Sequence, residues 1–222
     1  MRRALVGLLW GACVALLGGC NLSELVCGAE EQRAVTVNTD PTLAYTRAGG
    51  AAPGPLTLIG RVTDFEVGES AFGELFAAVD RGASLGKGVV LPMAGDDPVA
   101  GGTVVLYLAL PTPLRSGTTI PVGGAFQVPL GDAGLGAAAS RRLADPARAE
   151  VAFRTGTYHF PPPEWRTTFV ATGASGTVRV TGRYDNGFPL QLDLTLTDAS
   201  GRTVRLQGRA GAFSERYTPP CT

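Results

Sequence analysis

Leu190-Gln191-Leu192-Asp193-Leu194-Thr195-Leu196-Thr197 alternates a large apolar side chain with a polar one along its whole length. A period of two belongs to a β-strand, whose successive side chains point to opposite faces. The four leucines therefore share one face, and Gln191, Asp193, Thr195 and Thr197 share the other. One buried face and one wet face is the usual condition of an antiparallel sheet. Just upstream, Asp185-Asn186-Gly187 predicts a tight turn, because Asn and Gly tolerate positive φ. Before it, Thr177–Arg183 sets Val178 and Val180 against Thr177, Arg179 and Thr181. Downstream, Asp198-Ala199-Ser200-Gly201 turns the chain, and Thr203–Gly208 returns with Val204 and Leu206 inward. Three strands joined by tight turns predict an antiparallel meander.

Outward from the meander the pattern persists. Glu150–Tyr158 and Thr167–Thr172 read as strands flanking the loop Phe160-Pro161-Pro162-Pro163-Glu164-Trp165. Gly102–Leu110 is a continuous apolar run, which predicts a strand covered on both faces, ended by Pro111 and Pro113. Thr118–Val122 and Ala125–Leu130 read as short strands parted by Gly123-Gly124. Leu56–Phe65 alternates imperfectly, and Leu75–Val79 reads equally as strand or helix. Leu135–Leu143 is the best helical stretch of the domain, limited by Pro146. With 31 glycines, 16 prolines and 17% charged residues, long charged helices are disfavoured. The expected fold is all-β and mostly antiparallel, sandwich or barrel-like, with at most one or two short helices besides a cleaved signal helix.

The N-terminus carries an address. Arg2 and Arg3 precede an apolar run from Ala4 to Leu17, and Gly18, Gly19 and Cys20 close it. Charged, apolar and small-residue regions in that order make a signal peptide. The run is shorter than the roughly 20 residues a helix needs to span a bilayer. An ordinary secretory signal or an uncleaved anchor are the alternatives, but no Ala-x-Ala site follows the run. Leu17-Gly18-Gly19-Cys20 resembles the lipobox of bacterial lipoproteins. The resemblance implies that Cys20 takes a diacylglyceryl thioether, that the chain is cut before it, and that the new amine is acylated, palmitate being a typical chain. Two or three acyl chains anchor far better than one, at about 0.8 kcal/mol per buried methylene. The C-terminal half also resembles the endings of uncharacterised β-rich bacterial lipoproteins, on Gly176-Thr177-Val178-Arg179-Val180, the hairpin after it and the strand ending at Gly208. That likeness bears on fold and implies no activity. The expected organisation is a signal peptide over 1–19, a lipidated tether over 20–55, within which Ala34-Val35-Thr36-Val37 reads as a brief strand, and a β-rich domain over 56–222.

Losing residues 1–19 removes two arginines, which takes the formal charge from zero to −2. Nucleic acid, which calls for a clustered basic surface, is not an expected partner. Cys13 leaves with the signal and Cys20 is the lipid site, so Cys27 and Cys221 remain. In an oxidising compartment two leftover thiols usually pair. Free thiols or a metal pair are the alternatives, and two cysteines with one histidine make a poor zinc set.

His159, the chain's one histidine, stands beside Tyr158, Phe160 and Trp165 at the triproline loop. These four residues are the candidate ligand site: a rigid aromatic ledge for a sugar or peptide, since proline lowers the entropy lost on binding. The competing reading is a hairpin loop whose aromatics cover the end of the core. A Ser-His-Asp triad would need His159, yet no Gly-x-Ser-x-Gly presents a serine. Gly82–Gly88 has one residue too few between its glycines for a phosphate loop, and Gly88 where a magnesium-binding hydroxyl belongs. Asp96-Asp97-Pro98 reads as a solvated turn, not a calcium loop. No catalytic set, metal site or cofactor motif stands out, and none is expected. The sequence points to a lipid-anchored, extracytoplasmic envelope protein acting without catalysis, with the membrane and an envelope protein or glycan as partners. An envelope hydrolase and a barrel-type carrier of a hydrophobic ligand are the alternatives.

Overall fold

In a computed structural model, residues 32–47, 52–63, 89–98, 101–128, 143–159 and 164–217 are described, and among them there is no helix. The alternating stretch lies in strand β9 (Gly187–Asp198), whose Leu190, Leu192, Leu194 and Leu196 are all fully buried. Strand β8 (Glu164–Val180) lies on one side of it and β10 (Thr203–Tyr217) on the other, both antiparallel. The expected meander is therefore present, with Val178, Val180, Val204 and Leu206 on the buried face.

Seven further strands complete the sheet. They are β1 (Gln32–Thr46), β2 (Gly54–Leu56), β3 (Ile59–Thr63), β4 (Val89–Asp96), β5 (Thr103–Leu110), β6 (Thr119–Ala125) and β7 (Ala149–His159). Their order is β10-β9-β8-β6-β7-β5-β4-β3-β1-β2, and β10 also pairs with β1, so the ladder is ring-like. Strand β8 also pairs directly with β7, and β6 is wedged beside that contact, antiparallel to β8 and parallel to β7. All other pairings with a defined register are antiparallel. The all-β, mostly antiparallel expectation holds.

One apolar cluster fills the enclosed side, with described side chains from β1, β2 and β4 to β10. A smaller cluster lies on the outer side of β4, β5 and β7, where Phe126, Val128 and Leu143 cover Val90, Ala109, Ala152 and Tyr107. This second layer explains the unbroken apolar run of β5: Val104, Leu106, Leu108 and Leu110 face the main cluster while Ala109 is covered from outside. Arg154 Nη2 donates to the Val128 carbonyl at 3.0 Å and Gln127 Nε2 to the Ala171 carbonyl at 2.8 Å, pinning the covering segment to the sheet.

Three expectations need correction. The tether expected over 20–55 ends earlier, because the chain belongs to the compact unit Arg33–Glu215 from Arg33 onward. Ala34, Val35, Val37, Leu43 and Tyr45 of β1 are fully buried, so this strand is core. The glycines read as strand breaks are passed by continuous strands. Strand β8 runs through Gly173-Ala174-Ser175-Gly176 with a register shift between Ala171 and Gly173, and β6 runs through Gly123-Gly124 with one between Val122 and Gly124. Bulges of this kind bend a strand without ending it. Finally, Asp97 is only 4% exposed, not solvated. The signal segment, Leu75–Val79, Gly82–Gly88 and all but the last residue of the Leu135–Leu143 helix candidate lie outside the described residues.

Candidate functional site

Of the residues singled out from sequence, Cys20, Cys27, Cys221 and Phe160 lie outside the described residues. The backbone of the aromatic hairpin is defined: Tyr158 pairs with Trp165 and His159 with Glu164, at the end of the β7–β8 ladder. The ladder thus brings Tyr158, His159 and Trp165 to one strand end, as their flanking positions in the sequence imply.

A cleft with defined side chains lies at the other end of β8. It has a volume of about 460 Å³ and is formed by β1, the β8–β9 connection, β9 and β10. Its first wall is a bulge. Four residues of β1, Thr39 to Thr42, oppose only Thr57 and Leu58 between the paired segments on either side. Pro41 has no N–H to give a ladder, which favours an irregularity there. Thr39 closes the gap: its N–H donates to the Leu58 carbonyl and its Oγ1 accepts from the Leu58 N–H, both at 3.0 Å. The bulge leaves Asp40 exposed and lets Asn38, Thr39 and Asp40 line the cleft.

The second wall is the turn at Asp185-Asn186. Tyr184 and Gly187 form a bridge across it. The turn forms where the sequence predicts it, but neither Asn186 nor Gly187 has positive φ. Glycine is needed at 187 for space instead, since a Cβ there would lie 2.1 Å from the Ala212 carbonyl oxygen. Ser214 holds the turn against β10, its N–H donating to the Asn186 carbonyl at 2.7 Å, while Asn186 Nδ2 donates to the Ser214 carbonyl at 3.2 Å. Phe213 lies back over Gly211, where a Cβ would come within 2.6 Å of its ring. An aromatic ring over a strand glycine shields backbone that glycine leaves bare. Tyr184 stacks on Phe213, with centroids 5.9 Å apart and planes 24° from parallel. Yet Tyr184 remains 54% exposed, one of two large apolar side chains so placed among the described residues. Arg183 and Arg209 complete the rim with Thr181.

Three buried carboxylates are each held by neighbours. Asp97 accepts from Tyr45 Oη at 3.3 Å and lies 3.9 Å from an Arg47 guanidinium nitrogen, which ties β1 to the turn between β4 and β5. Burial, then the Asp97 charge and hydrogen bond against an opposing pull from Arg47, pushes the Tyr45 phenol up to about 12. Glu150 accepts from the Ala144 N–H at 3.0 Å. Asp198 Oδ1 accepts from the Ser200 N–H, the Ser200 hydroxyl and the Arg202 N–H at 2.9, 2.7 and 2.9 Å, and Oδ2 accepts from Arg202 Nε at 2.7 Å. Burial alone would raise this carboxyl, but the bonds from Ser200 and Arg202 prevail and bring it down to about 2. Arg202 also donates to the Thr168 carbonyl at 2.9 Å and packs 6.0 Å from the Phe169 ring centroid. The Asp-Ser pair here is a turn lock, not a nucleophile with its base.

Sequence reading missed the Tyr184 cleft because its parts are far apart along the chain. The only local signals were a tyrosine just before an Asn-Gly turn and the spacing Arg209, Gly211, Phe213 on one face of a strand. Among the described residues no group of three or more His, Cys, Asp or Glu could hold a metal ion, and no helix is long and apolar enough to cross a membrane. No protein-family model, curated protein or solved structure matches the chain.

Proposed function

We propose that this chain is a bacterial lipoprotein, anchored in the cell envelope through Cys20, whose β domain acts by binding and not by catalysis. The single observation that carries the anchor is Leu17-Gly18-Gly19-Cys20 after a short charged start and apolar run. The lipid makes the membrane its first partner, and an envelope protein or glycan its second. Binding is favoured over hydrolysis because Asp97, Glu150 and Asp198, the buried carboxylates among the described residues, are each engaged in holding turns or segments together. A general acid or base needs a proton path to a substrate, and these groups face neighbouring protein atoms.

The test is metabolic labelling with a fatty acid in the native host. The wild-type chain should take up label and partition with membranes, and Cys20→Ala should leave an unlabelled precursor. Normal labelling and membrane partition of Cys20→Ala would overturn the proposal.

A further inference from the structure

The cleft beneath Tyr184 combines features that a structural patch does not require. Phe213 already covers Gly211, so Tyr184 adds a second ring whose outer face meets solvent. That ring is held from behind by the Phe213 stack and at its backbone by the bridge to Gly187, with the turn tied to Ser214. A platform fixed before binding loses little entropy when a ligand covers it. Opposite it, the β1 bulge presents Asn38, Thr39 and Asp40, and Thr181 stands on the rim. Arg209 is exposed, and no described residue pairs with it.

We infer that this cleft binds an acidic saccharide, one ring stacked on Tyr184 and a carboxylate on Arg209. The assignment rests on the binding reading given above and names its ligand class. Each part of such a ligand has its counterpart. The C–H face of a sugar ring carries slight positive charge and suits the negative face of an aromatic ring. Sugar hydroxyls both donate and accept, and need mixed groups such as the Asn38 amide and the Asp40 carboxylate, with the Thr181 hydroxyl, which donates to the Pro189 carbonyl at 3.4 Å, as a further acceptor. A guanidinium fork matches a carboxylate in shape as well as charge. A purely aliphatic ligand would leave the Asn38 amide and the Asp40 carboxylate dehydrated and unpaired, which is costly. A neutral sugar would leave Arg209 idle. The volume of about 460 Å³ lies within the roughly 300–1,000 Å³ of ordinary small-molecule sites.

The experiment is calorimetric titration of the full-length protein in detergent with a galacturonate tetramer and with the neutral galactose tetramer of the same linkage. Circular dichroism of each variant checks its fold. The acidic tetramer should bind about tenfold more tightly at low salt, and the preference should shrink as salt screens the exposed guanidinium. Arg209→Gln should abolish the preference while keeping neutral binding. Tyr184→Ala should weaken both sugars by about tenfold or more, as expected of a central aromatic anchor, and Tyr184→Phe should retain them. No binding of either tetramer, or binding indifferent to Arg209→Gln and Tyr184→Ala, would overturn the site. Equally tight binding of a glutamate-rich peptide, lost in the same variants, would overturn the sugar assignment and make the cleft a protein-docking surface. The tetramer recovered afterwards should be intact. A shortened tetramer would support the site and overturn the non-catalytic reading, whereas failed binding leaves the Cys20 labelling result standing on its own.

Discussion

Single residues in this protein do their strongest work where a polar group has been taken out of water. Asp198 is the clearest case. Its carboxylate closes the β9–β10 turn by accepting from Ser200 and Arg202, and those bonds favour its charged form against the opposing effect of burial. A carboxyl with a folded-state pKa of about 2, below its ordinary 3.8, binds protons more weakly when folded than when unfolded. Its contribution to stability is therefore complete above about pH 4 and is lost as pH falls toward about 2. Carbon-detected NMR titration should find the Asp198 carboxyl titrating near the lower value. Denaturant melts of Asp198→Asn should show a flatter acid limb over that interval than wild type. An ordinary midpoint for Asp198 would mean that the turn bonds do not persist in solution.

At the scale of elements, glycine decides whether strands run on or stop, and it does so through space as much as through φ. Gly176 has φ +116, and a Cβ there would lie 2.0 Å from the Asp193 carbonyl oxygen on the paired strand. Gly201, in the β9–β10 turn, has φ +80 with nothing within 4 Å of the same construction. The two positions thus separate conformational strain from collision. Gly201→Ala should cost about 1–2 kcal/mol, the price of a left-handed conformation alone. Gly176→Ala adds a backbone clash in the middle of the β8–β9 ladder and should cost clearly more, above about 2 kcal/mol. Urea denaturation of both variants gives the comparison, and equal losses would show that β8 can shift away from β9 at no cost. Strand β5 carries a related lesson. Its unbroken apolar run reflects two partners, the main cluster on one face and Phe126, Val128 and Leu143 near the other.

At the scale of the whole molecule, the ladder returns to its start through the β10–β1 pairing. Thr36 Oγ1 donates to Glu215 at 2.7 Å, and Arg61 Nε lies 3.3 Å from the same carboxylate, so β1, β3 and β10 meet there. Closing strands in this way removes long exposed edges, which otherwise invite pairing with other chains. We predict that Cys27 and Cys221 form a second closure, as a disulfide. On the lipoprotein reading proposed above, both are the thiols left over once Cys13 leaves with the signal and Cys20 takes the lipid. A bond between them would span nearly the whole mature chain, and the loop-entropy estimate for so large a loop is roughly 4–5 kcal/mol. Non-reducing peptide mapping of protein taken from the envelope should find one cross-linked pair. Two thiols open to alkylation would refute the bond.

What the sequence determined alone was everything set by local period and local chemistry. The leucine alternation of β9 and the doubly covered β5 were legible because a period of two and an unbroken apolar run each act within a few residues. The turn at Asp185-Asn186-Gly187 was placed correctly, but its glycine answers to the Ala212 carbonyl of β10 and not to a local φ. The expected address lies at the same level, since a lipobox is a contiguous motif. Tertiary structure decided whatever depends on a partner distant in the chain. The glycines of β6 and β8 read as breaks because nothing local shows what lies beside them: the Arg148 side chain at Gly123, and the Asp193 backbone at Gly176. Asp97 read as solvated because Tyr45 and Arg47 reach it from another strand. Strand β1 read as tether because its short apolar segments become core only once β3 and β10 lie beside it. The Tyr184 cleft was out of reach for the same reason. A stack between the β8–β9 turn and β10, facing a bulge in β1, exists only after the ladder has come round to its first strand.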